Sequence, residues 1–188
     1  MFERKQNVFD DFIGAAEFLV ANKYTSPEKL AIAGGSNGGL LVGAALTQRP
    51  DLFRAVVCTY PLLDMVRFHK FLVGGYWISE YGSGDDPKQF PYIKAYSPYH
   101  NVKAGTKYPA VFFDTGDSDT RVAPLHARKM TALLQTATGS SIADRPVILR
   151  YDTEAGHSGG LPVAQNVTLQ TERLVFVMWQ LGMMRPAM

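Results

Sequence analysis

The sequence predicts an α/β fold: a mostly parallel sheet with helices on both faces. Three observations lead there. Short runs of strand length that are apolar almost throughout recur along the 188 residues, at Leu30–Ala33, Arg54–Thr59, Ala110–Asp114 and Val147–Tyr151. Strands that are continuously apolar, rather than alternating, suit a sheet covered on both sides. Segments with helical apolar spacing stand between them and after the last, and strict alternation of strand and helix calls for crossovers and parallel pairing.

The elements follow in order. Phe12, Ala15, Ala16, Leu19 and Val20 recur at helical spacing and predict a helix over 8–22, with Asn7 or Asp10 as its cap. Tyr24-Thr-Ser-Pro27 breaks that pattern before the first strand, Leu30–Ala33. Gly34 to Gly39 read as a turn, and Leu40–Gln48 as a helix stopped before Pro50. Arg54–Thr59 is the second strand. Residues 64–80, with Phe68, Phe71, Tyr76 and Trp77, read as helical in part, and 82–108 as a long polar connection. Ala110–Asp114 is the third strand, and Pro124–Thr138 a helix built on Leu125, Met130 and Leu133-Leu134. Val147–Tyr151 is the fourth strand. Gln165–Leu181 closes the chain as a helix on Val167, Leu174, Val177 and Met178.

Composition narrows the function classes. The apolar fraction is 46% and the charged fraction 19%, which describes a folded chain with a real core. The length suits a single domain over residues 1–188. A net charge of +2 without basic–aromatic clusters gives no nucleic-acid surface. The one cysteine, Cys58, excludes an intrachain disulfide framework and a cysteine-cluster metal site, so no metal is expected. The longest apolar stretch, Leu40 to Leu46, is too short to span a bilayer, and no signal peptide follows Met1. A soluble cytoplasmic protein is the expectation.

In open parallel sheets the ligand crevice lies outside the carboxyl ends of the strands. The loop after the first strand is Gly34-Gly35-Ser36-Asn37-Gly38-Gly39. A serine between strand and helix, with Gly34 and Gly38 two positions to either side, is a nucleophile-elbow arrangement. The tight turn holds the hydroxyl out at the top of the sheet, and the amide of Asn37 is placed as an oxyanion donor at a helix N-terminus. A plain turn and a phosphate-binding loop are the competing readings. The second needs a Lys-Ser/Thr pair or the spaced glycines of a dinucleotide fingerprint, and neither follows.

A serine needs a base, and the base an acid to orient it. In this arrangement the acid and then the histidine follow the serine along the chain. Asp114, Asp117 and Asp119 follow the third strand, and His157 follows the fourth. Spacing alone does not separate Asp117 from Asp119. His69, His100 and His126 lie in helical segments or in the long connection and read as surface or capping histidines. Without further information Trp77 and Tyr81 read as core aromatics, and Arg121 as a surface ion-pair residue.

GGSNGGLL (34–41), QRPDLF (48–53), FHK (68–70), SPYHNVK (97–103), DTRVAPLH (119–126) and AGHSGG (155–160) together resemble the prolyl oligopeptidase family, in order and spacing, over nearly the whole chain. The resemblance implies an α/β-hydrolase catalytic domain that cleaves peptide bonds through an acyl-enzyme without a cofactor. It implies Ser36 as nucleophile, Asp119 as acid and His157 as base, with Arg121 holding a substrate carbonyl. It further implies a proline-sized pocket formed by Trp77, Tyr81, Val122 and Leu62.

Members of that family are several times longer and carry a β-propeller. Their hydrolase domain has strands before the first one here, and their second oxyanion donor, a tyrosine, lies in that earlier part. The expectation is therefore an N-terminally truncated domain acting on a peptide or ester substrate. A small carboxylesterase using the same three residues, and an inactive fragment that only associates, are the alternatives. The open side of Leu30–Ala33 is expected to support a homodimer through the exposed sheet edge.

Overall fold

Four strands pair in chain order into one parallel sheet: β1 (Ala31–Gly35), β2 (Ala55–Thr59), β3 (Ala110–Gly116) and β4 (Val147–Asp152). This computed structural model describes residues 1–157 and 161–184, so the Ser158-Gly159-Gly160 end of the AGHSGG motif lies outside the described residues. The fold class is the one the sequence predicts.

The register explains why the strands carry apolar residues on both faces. Ile32 of β1, Val56 of β2, Val111 of β3 and Val147 of β4 stand in one row across the sheet. Successive side chains of a strand point to opposite faces. This row, with Cys58 and Phe113, meets α1 (Gln6–Ala21), α2 (Asn37–Gln48) and α5 (Leu125–Ala137). The contacts are Ile13 and Ala16 from α1, Val42, Ala45 and Leu46 from α2, and Met130 and Leu134 from α5. The alternate residues Ala55, Val57, Ala110 and Phe112 meet Phe176 of α6 (Val163–Gln180) on the other face. Each strand therefore needs an apolar side chain on both sides, and β2 and β3 are buried at every residue.

β1 departs from that expectation. It pairs with β2 alone, and Ala33 and Gly35 are exposed. Nothing among the described residues covers its outer edge, so only Ile32 along β1 is buried. Leu174 and Val177 of α6 line an open groove beside this strand.

α1 and α2 begin earlier than their apolar periodicity suggests. α1 starts at Gln6, and neither Asn7 nor Asp10 caps it. The preceding turn of 3₁₀-helix, Phe2–Arg4, runs straight in, and Lys5 already has helical angles (φ −62°, ψ −29°). No break in the backbone remains for a cap to bridge. α2 starts at Asn37, so Gly38 and Gly39 belong to its first turn and not to a loop.

The connection between β2 and β3 is more ordered than its polar composition suggests. Two 3₁₀ turns, Phe68–Lys70 and Gly74–Trp77, lead into a single helical turn, α3 (Ile78–Tyr81). A further short helix, α4 (Phe90–Tyr96), has Pro91 in its first turn and buries Ile93 and Tyr96. Proline near a helix start is a recognisable signal, but seven residues with one buried pair carry little periodicity. This connection builds a second apolar cluster above the sheet ends, where Leu62, Met65, Phe68, Tyr81, Ile93 and Val122 pack on Leu40.

Candidate active site

The elbow after β1 is set by close backbone packing. A Cβ on Gly34 would stand 2.2 Å from the carbonyl oxygen of Gly38, and one on Gly39 would stand 2.7 Å from Pro61. Both positions therefore exclude larger residues. Gly38, the other glycine two positions from Ser36, differs: a Cβ there meets nothing within 4 Å. It is the Gly38 carbonyl, not its missing side chain, that presses on the turn.

Ser36 takes the strain of the reversal. Its φ of 57° and ψ of −118° are unusual for a residue with a side chain. Its amide donates to the carbonyl of Thr59 at 2.9 Å, which fixes the turn to the end of β2. The Ser36 hydroxyl then faces His157, with Oγ 3.0 Å from Nε2.

His157 follows β4, and its Nδ1 lies 2.8 Å from Oδ2 of Asp119. The Asp119 side chain is fully buried. Its other oxygen accepts the amides of Arg121 at 2.9 Å and Val122 at 2.8 Å. A carboxylate only accepts hydrogen bonds, which assigns the proton on the imidazole to Nδ1. Nε2 is then free to accept from the serine.

Asp117 lies on a different path. Its carboxylate accepts the hydroxyl of Tyr151, and its amide donates to the Asp152 carbonyl at 2.7 Å. The β3–α5 loop thus turns Asp117 toward β4 and Asp119 toward the serine.

Beside Ser36 opens a cavity of about 190 Å³. Leu62, Trp77, Tyr81 and Arg121 line it together with Ser36 and Asn37. Val122 is buried in the apolar cluster behind it, with Leu62 and Tyr81. The Arg121 guanidinium lies over the Trp77 ring at 5.9 Å. The Asn37 amide is the first of α2 and has no partner within the helix. The Asn37 side chain is held by the Tyr81 hydroxyl, which donates to Oδ1 at 2.8 Å. Burial pushes the Tyr81 phenol up, so it stays a donor.

Sequence reasoning passed over several neighbours. Glu80 also lines the cavity, and Lys5 ion-pairs with it at 2.7 Å while lying over the Tyr81 ring. Nothing short of the fold brings the start of α1 to α3. Tyr60 packs on His157 with ring centroids 5.4 Å apart, and its place one residue past β2, at the carboxyl edge of the sheet, is a usable signal.

His126 corrects an expectation. It is not a surface histidine: its side chain is buried, and Nδ1 accepts the amide of Asp64 at 3.1 Å. Burial pushes its pKa down to about 4, so it is neutral. His69 pairs with Asp85 at 3.0 Å, and His100 Nδ1 lies 2.9 Å from the Ser97 hydroxyl. Burial pushes the Cys58 thiol up, and its Sγ lies 3.4 Å from the Gly39 carbonyl. No group of three or more His, Cys, Asp or Glu able to hold a metal ion occurs among the described residues. No helix among them is long and apolar enough to cross a membrane.

Known proteins carry the same arrangement of sequence and fold. The sequence matches the prolyl oligopeptidase family over residues 1–184. It is 48% identical to a prolyl endopeptidase of Dictyostelium discoideum over 159 residues, covering 84% of this chain and 21% of that protein. A solved prolyl endopeptidase, studied for the role of inter-domain dynamics in catalysis and specificity, superposes with a TM-score of 0.92. It is 50% identical and covers 96% of this chain and 26% of its own. Prolyl oligopeptidase B of Galerina marginata superposes with a TM-score of 0.90 at 41% identity, covering 96% of this chain and 25% of its own. The chain thus spans about a quarter of the length of the relatives it matches. With the match running from residue 1 to 184, through the elbow, the acid loop and the histidine loop, the chain belongs to the prolyl oligopeptidase family.

Proposed function

We propose that this chain is the catalytic α/β-hydrolase domain of a serine peptidase, with Ser36 as nucleophile, His157 as general base and Asp119 as the acid that orients it. The observation that carries the reading is the hydrogen-bond chain from Asp119 through His157 to Ser36, at 2.8 and 3.0 Å, beside a residue-sized cavity. The Galerina marginata enzyme adds support: its substrate-bound structures include variants with one serine and one histidine replaced, 121 positions apart, the separation of Ser36 and His157.

In this reading Ser36 Oγ attacks the scissile carbonyl carbon while its proton passes to His157 Nε2. The carbonyl π bond opens, and the oxygen takes the negative charge toward the Asn37 amide, whose N–H needs no reorganisation to receive it. Asp119 stabilises the imidazolium. The intermediate collapses as His157 returns the proton to the leaving nitrogen and the C–N bond breaks. Water, deprotonated by the same imidazole, then releases the acyl group from Ser36.

The cavity of Leu62, Trp77 and Tyr81 takes the side chain on the acyl side of the bond. At about 190 Å³, with Leu62 and the rings of Trp77 and Tyr81 as its apolar walls beside the polar Asn37, Glu80 and Arg121, it suits a small compact side chain such as proline, with Val122 backing it. Arg121 stands at its mouth to donate to a substrate carbonyl.

Labelling with a fluorophosphonate tests the reading. Ser36 should be modified, and the adduct should vanish in Ser36→Ala and fall steeply in His157→Ala. Absence of labelling in the folded wild-type chain would remove the catalytic assignment. Proline-containing fluorogenic peptides then test the substrate class against peptides with bulky residues at the same position.

A further inference from the structure

We infer that Tyr60 is a positioning residue for the His157 imidazole, anchored in turn by Arg173. The inference rests on the assignment of His157 as the base and adds to it what holds the ring. Two hydrogen bonds, at Nδ1 and Nε2, fix the imidazole along the line joining its partners. They leave the ring free to swing about that line. A third contact, on the ring face, is needed to define its plane. Tyr60 supplies it, with ring centroids 5.4 Å apart and planes inclined at 50°.

The backbone shows that Tyr60 is held there against its own preference. Its φ is 46°, a left-handed conformation that a bulky aromatic residue rarely adopts. Strain of this kind persists only where surrounding contacts over-determine it, and it gathers at functional sites. Those contacts are present. The Tyr60 amide donates to the Asp114 carbonyl at 2.7 Å. Its hydroxyl accepts from Arg173 Nη2 at 3.2 Å, and the guanidinium lies 5.8 Å from the ring centroid.

Arg173 is itself fixed. It donates to Oδ2 of Asp114 from Nη2 at 2.5 Å and from Nε at 3.2 Å. The Asp114 side chain is 1% exposed, and Arg150 of β4 stands 3.5 Å from its other oxygen. Two charge-assisted N–H bonds converging on one oxygen of a buried carboxylate make a rigid mount. The path Asp114–Arg173–Tyr60–His157 therefore ties the ends of β2, β3 and β4 and the middle of α6 to one imidazole face. None of these links belongs to the serine–histidine–aspartate chain. Because Asp114 neutralises Arg173, the guanidinium acts here as an anchor for the phenol.

The test compares Tyr60→Phe and Tyr60→Leu with the wild-type chain by two readouts. One is the rate of Ser36 modification by a fluorophosphonate, and the other is the His157 Cε1–H signal in a carbon–proton NMR spectrum. Phenylalanine keeps the face contact but loses the Arg173 anchor. Leucine loses both. The labelling rate should fall about two- to fivefold in Tyr60→Phe and at least about tenfold in Tyr60→Leu, as a displaced catalytic group requires. The His157 signal should shift in the first variant and broaden in the second. The greater retention by phenylalanine separates ring positioning from a general loss of packing.

Wild-type labelling rates and an unmoved His157 signal in Tyr60→Leu would overturn the inference. Should Tyr60→Leu fail to fold, Tyr60→Phe decides: a rate and signal identical to wild type would overturn the Arg173 anchor. Should the wild-type chain itself not label, the catalytic reading falls. The NMR comparison then decides the positioning alone, an unchanged His157 signal refuting it and a broadened one upholding it.

Discussion

Asp119 turns one carboxylate oxygen to the Nδ1 of His157, 2.8 Å away, and keeps the other for the amides of its own loop. The loop amides hold the carboxylate rigid, so the Nδ1 proton has one acceptor to meet. Asp119→Asn would offer the imidazole an amide donor or a weaker acceptor and favour the wrong tautomer. Turnover and Ser36 labelling should fall by about 10³–10⁴ with the fold intact. Asp117→Asn alters only the contact with Tyr151 and should stay within about threefold. Measuring both variants side by side checks the ranking, and equal losses would show that the two carboxylates act together.

The elbow makes a prediction about stability. A Cβ on Gly34 would sit 2.2 Å from the Gly38 carbonyl, so Gly34→Ala must push α2 away from β1. Overpacking of this kind costs about 1–3 kcal/mol, and backbone gives less readily than a side chain. Gly38→Ala meets nothing within 4 Å and replaces a helical glycine, so its stability should be unchanged or up by as much as about 1 kcal/mol. Urea denaturation of the two variants is the measurement. A stable Gly34→Ala would mean that the turn is looser than this packing requires.

These two cases also mark what a sequence can carry. Ser36 between glycines, an aspartate loop after the third strand and a histidine loop after the fourth are local patterns placed by strand order. They brought forward Ser36, His157 and the loop of Asp119, which now form one hydrogen-bond chain through His157, at 2.8 and 3.0 Å, between sequence-distant loops. β2 and the first half of β3 were legible because burial on both faces leaves few polar positions to blur them. The choice between Asp117 and Asp119 was not legible from spacing. It depends on which way a loop turns two residues that lie two positions apart. Glu80 and the Asp114–Arg173 pair were invisible for another reason: each acts through a partner more than 40 residues away, and pairwise geometry has no periodic signature. The exposed β1 edge shows the same limit from the other side, since an apolar strand reads as buried whether or not a neighbour is present to cover it.

His126 sets a pH dependence for stability. Its imidazole is buried against Asp64, with Lys129 and Arg67 nearby and the Phe71 ring edge-on, and its pKa is pushed down to about 4 by desolvation. In the unfolded chain the ordinary value is about 6.5. The folded value is the lower one, so between them the unfolded state binds the proton first. The contribution of neutral His126 is present in full above about pH 6.5 and is lost as pH falls toward 4, amounting to about 3 kcal/mol. His126→Gln keeps an acceptor for the Asp64 amide but cannot titrate. Its stability should be lower at pH 7 and should fall much less steeply between pH 6.5 and 4. Parallel slopes for the two proteins would show that another group drives the acid loss. Asp64 adds to the loss at lower pH: burial pushes its pKa up, but the hydrogen bonds of Arg67 and Lys129 outweigh that and bring it below the usual carboxylate range.

The cavity beside Ser36 separates binding from chemistry through two of its walls. Trp77 offers an indole face and supports Arg121 over its ring at 5.9 Å. Trp77→Ala should remove apolar contact with the bound side chain and loosen Arg121. Losses of about 1–3 kcal/mol in kcat/KM follow for a small side chain such as proline, chiefly through KM, and less for a bulky one that fills the space. Tyr81 differs because its hydroxyl holds Oδ1 of Asn37, the residue whose amide is proposed to receive the developing oxyanion. Tyr81→Phe keeps the ring in the wall and removes only that bond. A buried hydrogen bond is worth about 0.5–1.5 kcal/mol, and here the loss should appear in kcat, by up to about tenfold, with KM little changed. Steady-state kinetics on one proline peptide distinguishes the two. A Tyr81→Phe variant altered in KM alone would place the Asn37–Tyr81 contact in substrate binding and leave the oxyanion to other donors.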